Sequence, residues 1–361
     1  MKVAHLLWAP KIGGAELFAL RLAFEQAKSL DVTLLYLGTT DSEIQGRWAE
    51  AGKFKAFGCR HGIDIRGFAR LIRHLKANKY DVIHQHQSPS ALPFIRFGAP
   101  SSLIVKHEHG RSSLASRSKR QRVTGSLVTR FVDIYVANSD YTADQIIADE
   151  GVPRHKTVIV RGGVDLEGFQ QAQPGMLRPQ LGLTNSPLVL FLGRLVWEKG
   201  IDDFLSVAEK VHAVQPDCRF LVVGDGPLRK EIESDIKRRN LSEVVVLLGM
   251  RSDVATIMRN CNVFLMTSRQ EAQGLTVLEA MAADLPVISF DAGGLPEVVG
   301  EAGVLIRDRS TAEMAASVEK VLLDPILAES MQRKGREQVE RFSYPEVASK
   351  LVQIYQESLK P

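Results

Sequence analysis

Charged and imidazole side chains recur in this chain directly after short apolar runs. The run Leu188 to Leu192 is followed by Gly193-Arg194-Leu195-Val196-Trp197-Glu198-Lys199-Gly200. Arginine offers a planar fork and lysine a compact charge, so Arg194 and Lys199 on one loop suit a diphosphate. The run Val263 to Met266 is followed by Ser268-Arg269-Gln270-Glu271-Ala272-Gln273-Gly274-Leu275 and, further on, Glu279. Gly274 lets a backbone approach a ligand closely. A helix starting near Leu275 presents free N–H groups that favour an anion. Glu271 before that helix and Glu279 within it are acceptors for the paired hydroxyls of a sugar or ribose. Gly13-Gly14 opens a helix expected over Ala15 to Lys28 and can bring backbone donors to a phosphate. Neither the dinucleotide fingerprint nor the P-loop pattern occurs.

Histidines form a further group, with His84 and His86 after one run and His107-Glu108-His109-Gly110 after the next. The H-x-H spacing is weak for a metal and no cysteine lies nearby to complete a zinc set, so hydrogen bonding is expected and no metal. His109, with Gly110 allowing the turn, is the best catalytic candidate. The segment Asp291-Ala292-Gly293-Gly294-Leu295-Pro296-Glu297 is one more glycine turn after a strand.

The elements that must hold these groups follow from patterning. The runs Val3 to Trp8, Val32 to Leu37, Asp81 to His84, Leu103 to Val105 and Ile134 to Ala137 recur in the second half as Leu188 to Leu192, Phe220 to Val223, Val244 to Leu248, Val263 to Met266 and Pro286 to Phe290. Each is too short for a helix and too continuously apolar for a strand with one wet face, which fits parallel strands covered on both sides. Amphipathic stretches lie between them; in Ala15 to Lys28 the expected buried face is Leu17, Leu20, Phe24 and Ala27. Alternating β and α implies doubly wound parallel sheets. At 361 residues the chain fits two domains of about 150 residues. Proline and glycine density over 170–187 places a linker there, giving domains 1–169 and 188–343. The helix-like 344–361 is expected to pack back on the first domain.

Hydrophobic residues at 45% and charged residues at 24% exclude a disordered or collagen-like chain. A net charge of +4 is too small for a dedicated nucleic-acid binder. No run reaches the roughly 18 apolar residues of a membrane span. The N-terminal segment does not read as a signal peptide. Cys59, Cys218 and Cys261 are odd in number and far apart, which argues against a disulfide framework and fits a cytoplasmic location.

Together the motifs resemble those of the retaining GT-B glycosyltransferases, specifically glycosyltransferase family 4. The resemblance rests on Gly13-Gly14, His109-Gly110, the G-R-L-x-x-E-K-G segment from Gly193 to Gly200, the Glu271 and Glu279 pair, and Ala292 to Glu297. It implies two Rossmann-like doubly wound domains facing across a cleft. It implies that Arg194 and Lys199 hold the donor diphosphate, with Gly14 and Leu275 beside it, and that Glu279 holds the nucleotide ribose. Glu271 is implied near the donor-sugar hydroxyls, with Gln273 and Gly274 supplying loop contacts. His109 is implied beside the reacting sugar, and Gly13 and His86 on the acceptor side. The chain departs from the family's usual pattern at Gly162, where asparagine is common, and at Ala272, where glycine is common.

The implied activity is transfer of a sugar from a UDP- or GDP-linked donor to a glycan or lipid-linked acceptor, with no cofactor beyond the donor. The alternatives are a nucleotide-sugar-binding protein without turnover and an epimerase-like GT-B enzyme. Lys106, Arg111, Arg117, Lys119, Arg120, Arg122 and Arg130 form a basic stretch over 106–130. It is expected to meet an anionic membrane surface, each cation adding about 1 kcal/mol. With no aromatic residue interleaved among these cations, nucleic acid is not an expected partner.

Overall fold

A computed structural model describes residues 1–8, 14–39, 53–59, 64–86, 89–110, 128–175 and 177–360. The chain forms two compact units, one of Met1–Gly163 with Tyr344–Pro361 and one of Val164–Ser343.

The first unit is built on seven parallel strands: β1 Lys2–Leu7, β2 Asp31–Tyr36, β3 Lys53–Ala56, β4 Val82–Gln85, β5 Leu103–Glu108, β6 Ile134–Ala137 and β7 Thr157–Ile159, in the order β3-β2-β1-β4-β5-β6-β7. The order reverses between β1 and β4, the position where doubly wound sheets bind ligands. β4 and β5 are buried along their whole length, as the unbroken apolar patterning requires.

The second unit repeats the plan with β8 Leu188–Leu192, β9 Arg219–Val223, β10 Val245–Gly249, β11 Val263–Met266, β12 Val287–Phe290 and β13 Val304–Ile306, in the order β10-β9-β8-β11-β12-β13. Its reversal lies between β8 and β11. One face of the sheet buries Phe191, Phe220 and Leu265 against Phe204 and Val318; the other buries Leu190 and Phe264 against Leu278 and Val298.

Every apolar run named above forms a strand. The strands that do not correspond to a run named above are β3, β7 and β13, all at sheet edges, although Val304-Leu305-Ile306 in β13 is itself a short apolar run. An edge strand has one neighbour and partial cover, so it needs no continuous apolar run; Lys53-Phe54-Lys55-Ala56 alternates instead.

Three expectations are corrected. Residues 170–187 are not a linker between the domains and the first domain does not run to 169, because the second unit begins at Val164 and buries Val164, Phe169 and Leu177 in its core. Arg178 ties this segment down by donating to the carbonyls of Asn260 at 2.9 Å and Ser186 at 2.7 Å. Glycine and proline there shape turns on a packed surface. In helix Gly14–Ala27 the fully buried stripe is Phe18, Ala19, Leu22, Ala23 and Gln26, while Leu17 is exposed. Apolar residues fall on more than one stripe of this helix. It is covered by the sheet on one side and by the C-terminal helix Tyr344–Ser358 on another, through Leu351 and Tyr355. Lys106 is not a surface cation: it is buried and pairs with Glu108, with Glu150 at 3.8 Å. It sits on β5, where side chains of both faces are covered. Arg111, Arg117, Lys119, Arg120 and Arg122 lie outside the described residues.

Gly162 and Gly163 have φ of 118° and 112°, a region open to glycine. A Cβ at Gly163 would come within 2.4 Å of the Phe18 ring. The departure from asparagine at Gly162 therefore stands in a stretch of chain whose backbone glycine tolerates best.

Candidate active site

In the second unit the loops after β8 and β11, the two strands flanking the reversal, are joined by a side-chain pair. The loop after β8 closes in a short 3-10 turn, Trp197–Lys199, and enters helix Ile201–Val214 through Gly200. Gly200 has φ of 62°, and a Cβ there would stand 2.1 Å from the Thr267 carbonyl oxygen. Only glycine lets the loop lie this close to the end of β11. Thr267 Oγ1 donates to the Lys199 carbonyl at 3.1 Å, a second tie between the loops. Lys199 Nζ donates to Glu271 Oε2, and Ser268 Oγ donates to the same oxygen at 3.4 Å. Arg194 is exposed.

Glu271 is held from below by the glycine turn after β12. The Glu271 carbonyl accepts from the Gly294 N–H at 2.9 Å, and a Cβ on Gly293 would lie 2.1 Å from that carbonyl. Gly274, with φ of 92°, then starts helix Leu275–Ala282, whose first turn has no side-chain cap. A Cβ at Gly274 would meet Leu295 at 2.6 Å. Gln273 is buried, and its Nε2 has no hydrogen-bond partner among the described residues. Glu279 is half-buried, four residues after Leu275, on the same face of the helix. The pair Asp202-Asp203 at the start of helix Ile201–Val214 is engaged: Arg269 bonds Asp202 at 2.5 Å and Arg309 bonds Asp203.

In the first unit the histidines lie on or just after β1 and β4, which flank the reversal, and the adjacent β5. His5 on β1 pairs in register with His84 on β4. Side chains alternate along a strand, so His84 and His86 share a face, as do His107 and His109. Phe18 sets its ring edge against His107 at 4.9 Å and His109 at 5.1 Å. The rings are joined by hydrogen bonds: His5 Nε2 to Gln26 Oε1 at 2.8 Å, His5 Nδ1 to His86 Nε2 at 2.9 Å, and His86 Nδ1 to His109 Nε2 at 3.1 Å. A second series runs from the Tyr355 hydroxyl to His84 Nδ1 at 2.5 Å and from His84 Nε2 to His107 Nδ1 at 3.2 Å.

Burial lowers the pKa of His5 to about 4, against the opposing effect of the hydrogen bond that Gln26 Oε1 accepts from it. Burial likewise lowers His109 to about 4, with Glu108 pulling the other way. His84, His86 and His107 are held well below the usual imidazole range, first by burial and then by neighbouring histidines that include His5 and His109. The rings are therefore neutral at pH 7.

Two histidine triads, His5-His84-His86 and His86-His107-His109, bring one ring nitrogen from each residue within 4.8 Å. Ring planes in this group lie within 31° of parallel, and His107 and His109 are 2° apart. Imidazole lone pairs lie in the ring plane, so stacked rings do not aim them at one point. The nitrogen separations are those of hydrogen bonds.

These positions can be set beside the expectations. Lys199 and Glu271 meet directly, and Gly274 and Leu275 begin the helix beside them. His86, expected on the acceptor side, is 4% exposed with both ring nitrogens bonded to other histidines, so neither nitrogen is open to a ligand. Gly14 is the first residue of its helix, and Gly13 lies outside the described residues.

Residues 12–167 match the family model described as Glycosyltransferase Family 4, and residues 176–338 match Glycosyl transferases group 1. This chain belongs to glycosyltransferase family 4. The glycosyltransferase is 30% identical to the alpha-D-kanosaminyltransferase of Streptomyces kanamyceticus over 192 residues, 52% of this chain and 50% of that one. It is 29% identical to the D-inositol 3-phosphate glycosyltransferase of Saccharomonospora viridis over 78% of this chain and 70% of the relative. The chain thus spans half the length of the first relative and more of the second. Its fold is GT-B. It superposes on Anabaena Alr3699/HepE in complex with UDP and glucose with a TM-score of 0.84, 22% identity and 99% of both chains covered. It superposes on WaaG, a glycosyltransferase involved in lipopolysaccharide biosynthesis, with a TM-score of 0.72, 17% identity and 98% and 99% covered. Among the described residues of the glycosyltransferase, no helix is long and apolar enough to cross a membrane.

Sequence reasoning passed over Gly224-Asp225-Gly226 after β9. A Cβ at Gly224 would be 1.9 Å from the Gly193 carbonyl oxygen, and one at Gly226 2.4 Å from that of Leu195. These glycines let the β9 loop brace the loop that carries Arg194. Two glycines directly after an apolar run were the available signal. His5 and Gln26 were also passed over, because one lies inside a strand and the other inside a helix.

Proposed function

We propose that this glycosyltransferase moves a sugar, with retention of anomeric configuration and without a metal, from a nucleotide-diphosphate sugar to a glycan or lipid-linked acceptor. The setting we infer is cell-surface polysaccharide or lipopolysaccharide biosynthesis, in the cytoplasm at the inner face of the membrane. The observation that carries the reading is the Lys199–Glu271 pair beside the uncapped start of helix Leu275–Ala282. A departing nucleoside diphosphate builds negative charge on its phosphate oxygens. Lys199, Arg194 and the first N–H groups of that helix are the groups to stabilise it, in place and needing little rearrangement. When phosphate takes Lys199, Glu271 loses its cation partner and its carboxylate is freed for donor-sugar hydroxyls. Glu279 would accept from the ribose. His109, neutral at pH 7, would meet the reacting sugar, and attack on the face the diphosphate leaves would retain configuration.

UDP is the first donor base to try, because Anabaena Alr3699/HepE was solved with UDP and with UDP-glucose. The three free cysteines accord with a reducing compartment.

The test is a thermal-shift series with UDP, GDP, ADP and their sugars on the wild type and on an Arg194→Ala/Lys199→Ala variant, followed by transfer assays with the sugar that binds. A ligand at 100 times its Kd adds about 2.7 kcal/mol. One nucleotide should raise Tm in the wild type and not in the variant, and its sugar should be transferred. Binding without transfer to any acceptor would leave a sugar-nucleotide-binding protein. Repeating the series with anionic vesicles tests the membrane setting: replacing Arg117, Lys119, Arg120 and Arg122 by alanine should weaken co-sedimentation, and unchanged co-sedimentation would remove it.

A further inference from the structure

The reading above places His109 at the reacting sugar. What His109 can offer there depends on the rings behind it. A neutral imidazole carries one N–H, so in a series of bonded imidazoles the first donor settles every later one. Gln26 stands at the head of the series, 1% exposed, with its amide oxygen 2.8 Å from His5 Nε2. An oxygen only accepts, so the proton is on His5 Nε2. His5 Nδ1 is then bare and accepts from His86 Nε2–H at 2.9 Å. His86 Nδ1 in turn accepts from His109 Nε2–H at 3.1 Å. His109 Nδ1 is left with its lone pair, and no described residue is hydrogen-bonded to it. If the amide nitrogen faced His5, every donor and acceptor would exchange and His109 would present an N–H instead.

A second series begins at Tyr355, whose hydroxyl also lies against the Gln26 side chain. The Tyr355 hydroxyl can donate to His84 Nδ1, and His84 Nε2–H to His107 Nδ1. It ends at His107 Nε2, which is buried without a partner among the described residues. His107 stacks on His109 at 4.4 Å between ring centroids without hydrogen-bonding it. Among the described residues, the only hydrogen bond that His109 makes through its ring is therefore the one it donates to His86.

We propose that Gln26, His5 and His86 are positioning residues forming a tautomer relay, which holds His109 with its proton on Nε2 and presents its bare Nδ1 as an acceptor for a sugar hydroxyl. The relay rests on the proposed transferase reading for what His109 meets, and on this structure for its direction. Neutral rings are what burial imposes at all three histidines. None of the relay residues touches the substrate; they act through His109.

The test uses the full chain labelled with 15N at histidine, with His109 assigned by loss of its signals in His109→Gln. Nitrogen shifts distinguish bare from protonated ring nitrogens. The wild type should show Nε2–H at His109. Gln26→Met keeps the volume and removes the acceptor; it should populate the Nδ1–H form of His109 and lower kcat about tenfold, one ordinary hydrogen bond's effect, with nucleotide KM unchanged. Gln26→Glu restores an oxygen and should restore both the Nε2–H signature and most of kcat. The proposal is overturned if His109 keeps Nε2–H in Gln26→Met, or if Gln26→Glu rescues neither readout. If Gln26→Met does not fold, His5→Phe cuts the series one link later and carries the same two outcomes. The nitrogen shifts do not depend on turnover. A relay that responds in a protein without transferase activity would sink the function and keep the relay; an active enzyme with unmoved shifts would do the reverse.

Discussion

Two residue clusters in this chain place groups where their protonation and pairing matter. Lys199 and Glu271 are neutralised by each other, so a ligand that takes one frees the other. The histidines gain by the opposite route, being neutral because they are buried. That choice has a consequence for stability. The folded pKa of His5 is about 4, against 6.5 when unfolded, so between these values the unfolded chain binds more protons. The stabilisation is therefore complete above pH 6.5 and is lost as pH falls toward 4; below that both states are protonated and the loss stops. For His5 it is on the order of 3 kcal/mol, and His84, His86, His107 and His109 shift in the same direction. Urea midpoints of the first unit should fall steeply between pH 6.5 and pH 4, and less steeply in His5→Phe. Parallel pH profiles in the two proteins would show that His5 is not titrating this way.

At the scale of elements, the loops of the candidate site are held by close glycine approaches as well as by side-chain bonds. Gly200 is the clearest case, since it combines a left-handed backbone with an approach to the Thr267 carbonyl that leaves no room for a Cβ. Gly200→Ala should cost more than the ~1–2 kcal/mol of left-handed strain, because the loop must also move away from β11. Moving it separates Lys199 from Glu271. Reduced Tm together with lost nucleotide binding is the expected result; a variant with wild-type Tm would show that the loop has slack. The same logic explains which elements could be read from sequence. Central strands are covered on both faces and announce themselves as unbroken apolar runs. β3 lies at an edge and alternates instead, and β7 and β13, also at edges, are only three residues long. The buried stripe of helix Gly14–Ala27 was misassigned because the C-terminal helix, distant in sequence, covers part of it.

At the scale of the molecule, each unit has its own sheet and core, and the chain returns to the first unit for its last helix. That helix buries Val347, Leu351 and Tyr355, and the Tyr355 hydroxyl bonds His84. It is thus part of the first unit's core and touches the histidine cluster. Leu351→Ala, at a position 0% exposed, should destabilise the first unit by about 2–5 kcal/mol. Hydrogen exchange should rise across β1, β4 and helix Gly14–Ala27 and stay unchanged in β8 to β13. Uniform loss of protection in both units would mean that they unfold together.

Local chemistry is written in order along the chain, so Arg194, Lys199, Glu271, Gly274, Glu279 and His109 could be picked out from residue type and from their place after apolar runs. The family follows from the same order, because a strand-end loop needs its glycine and its charge within a few residues. Pairings across the sheet could not be read this way. Lys199 meets Glu271 because β8 and β11 are neighbours, and His5 meets His84 because β1 and β4 are, although long stretches of chain separate them. Whether a lysine such as Lys106 faces water or an ion pair, and whether His86 touches substrate or another imidazole, depends on what packs over it. Burial is a property of the assembled layers, and these assignments came only with the folded chain.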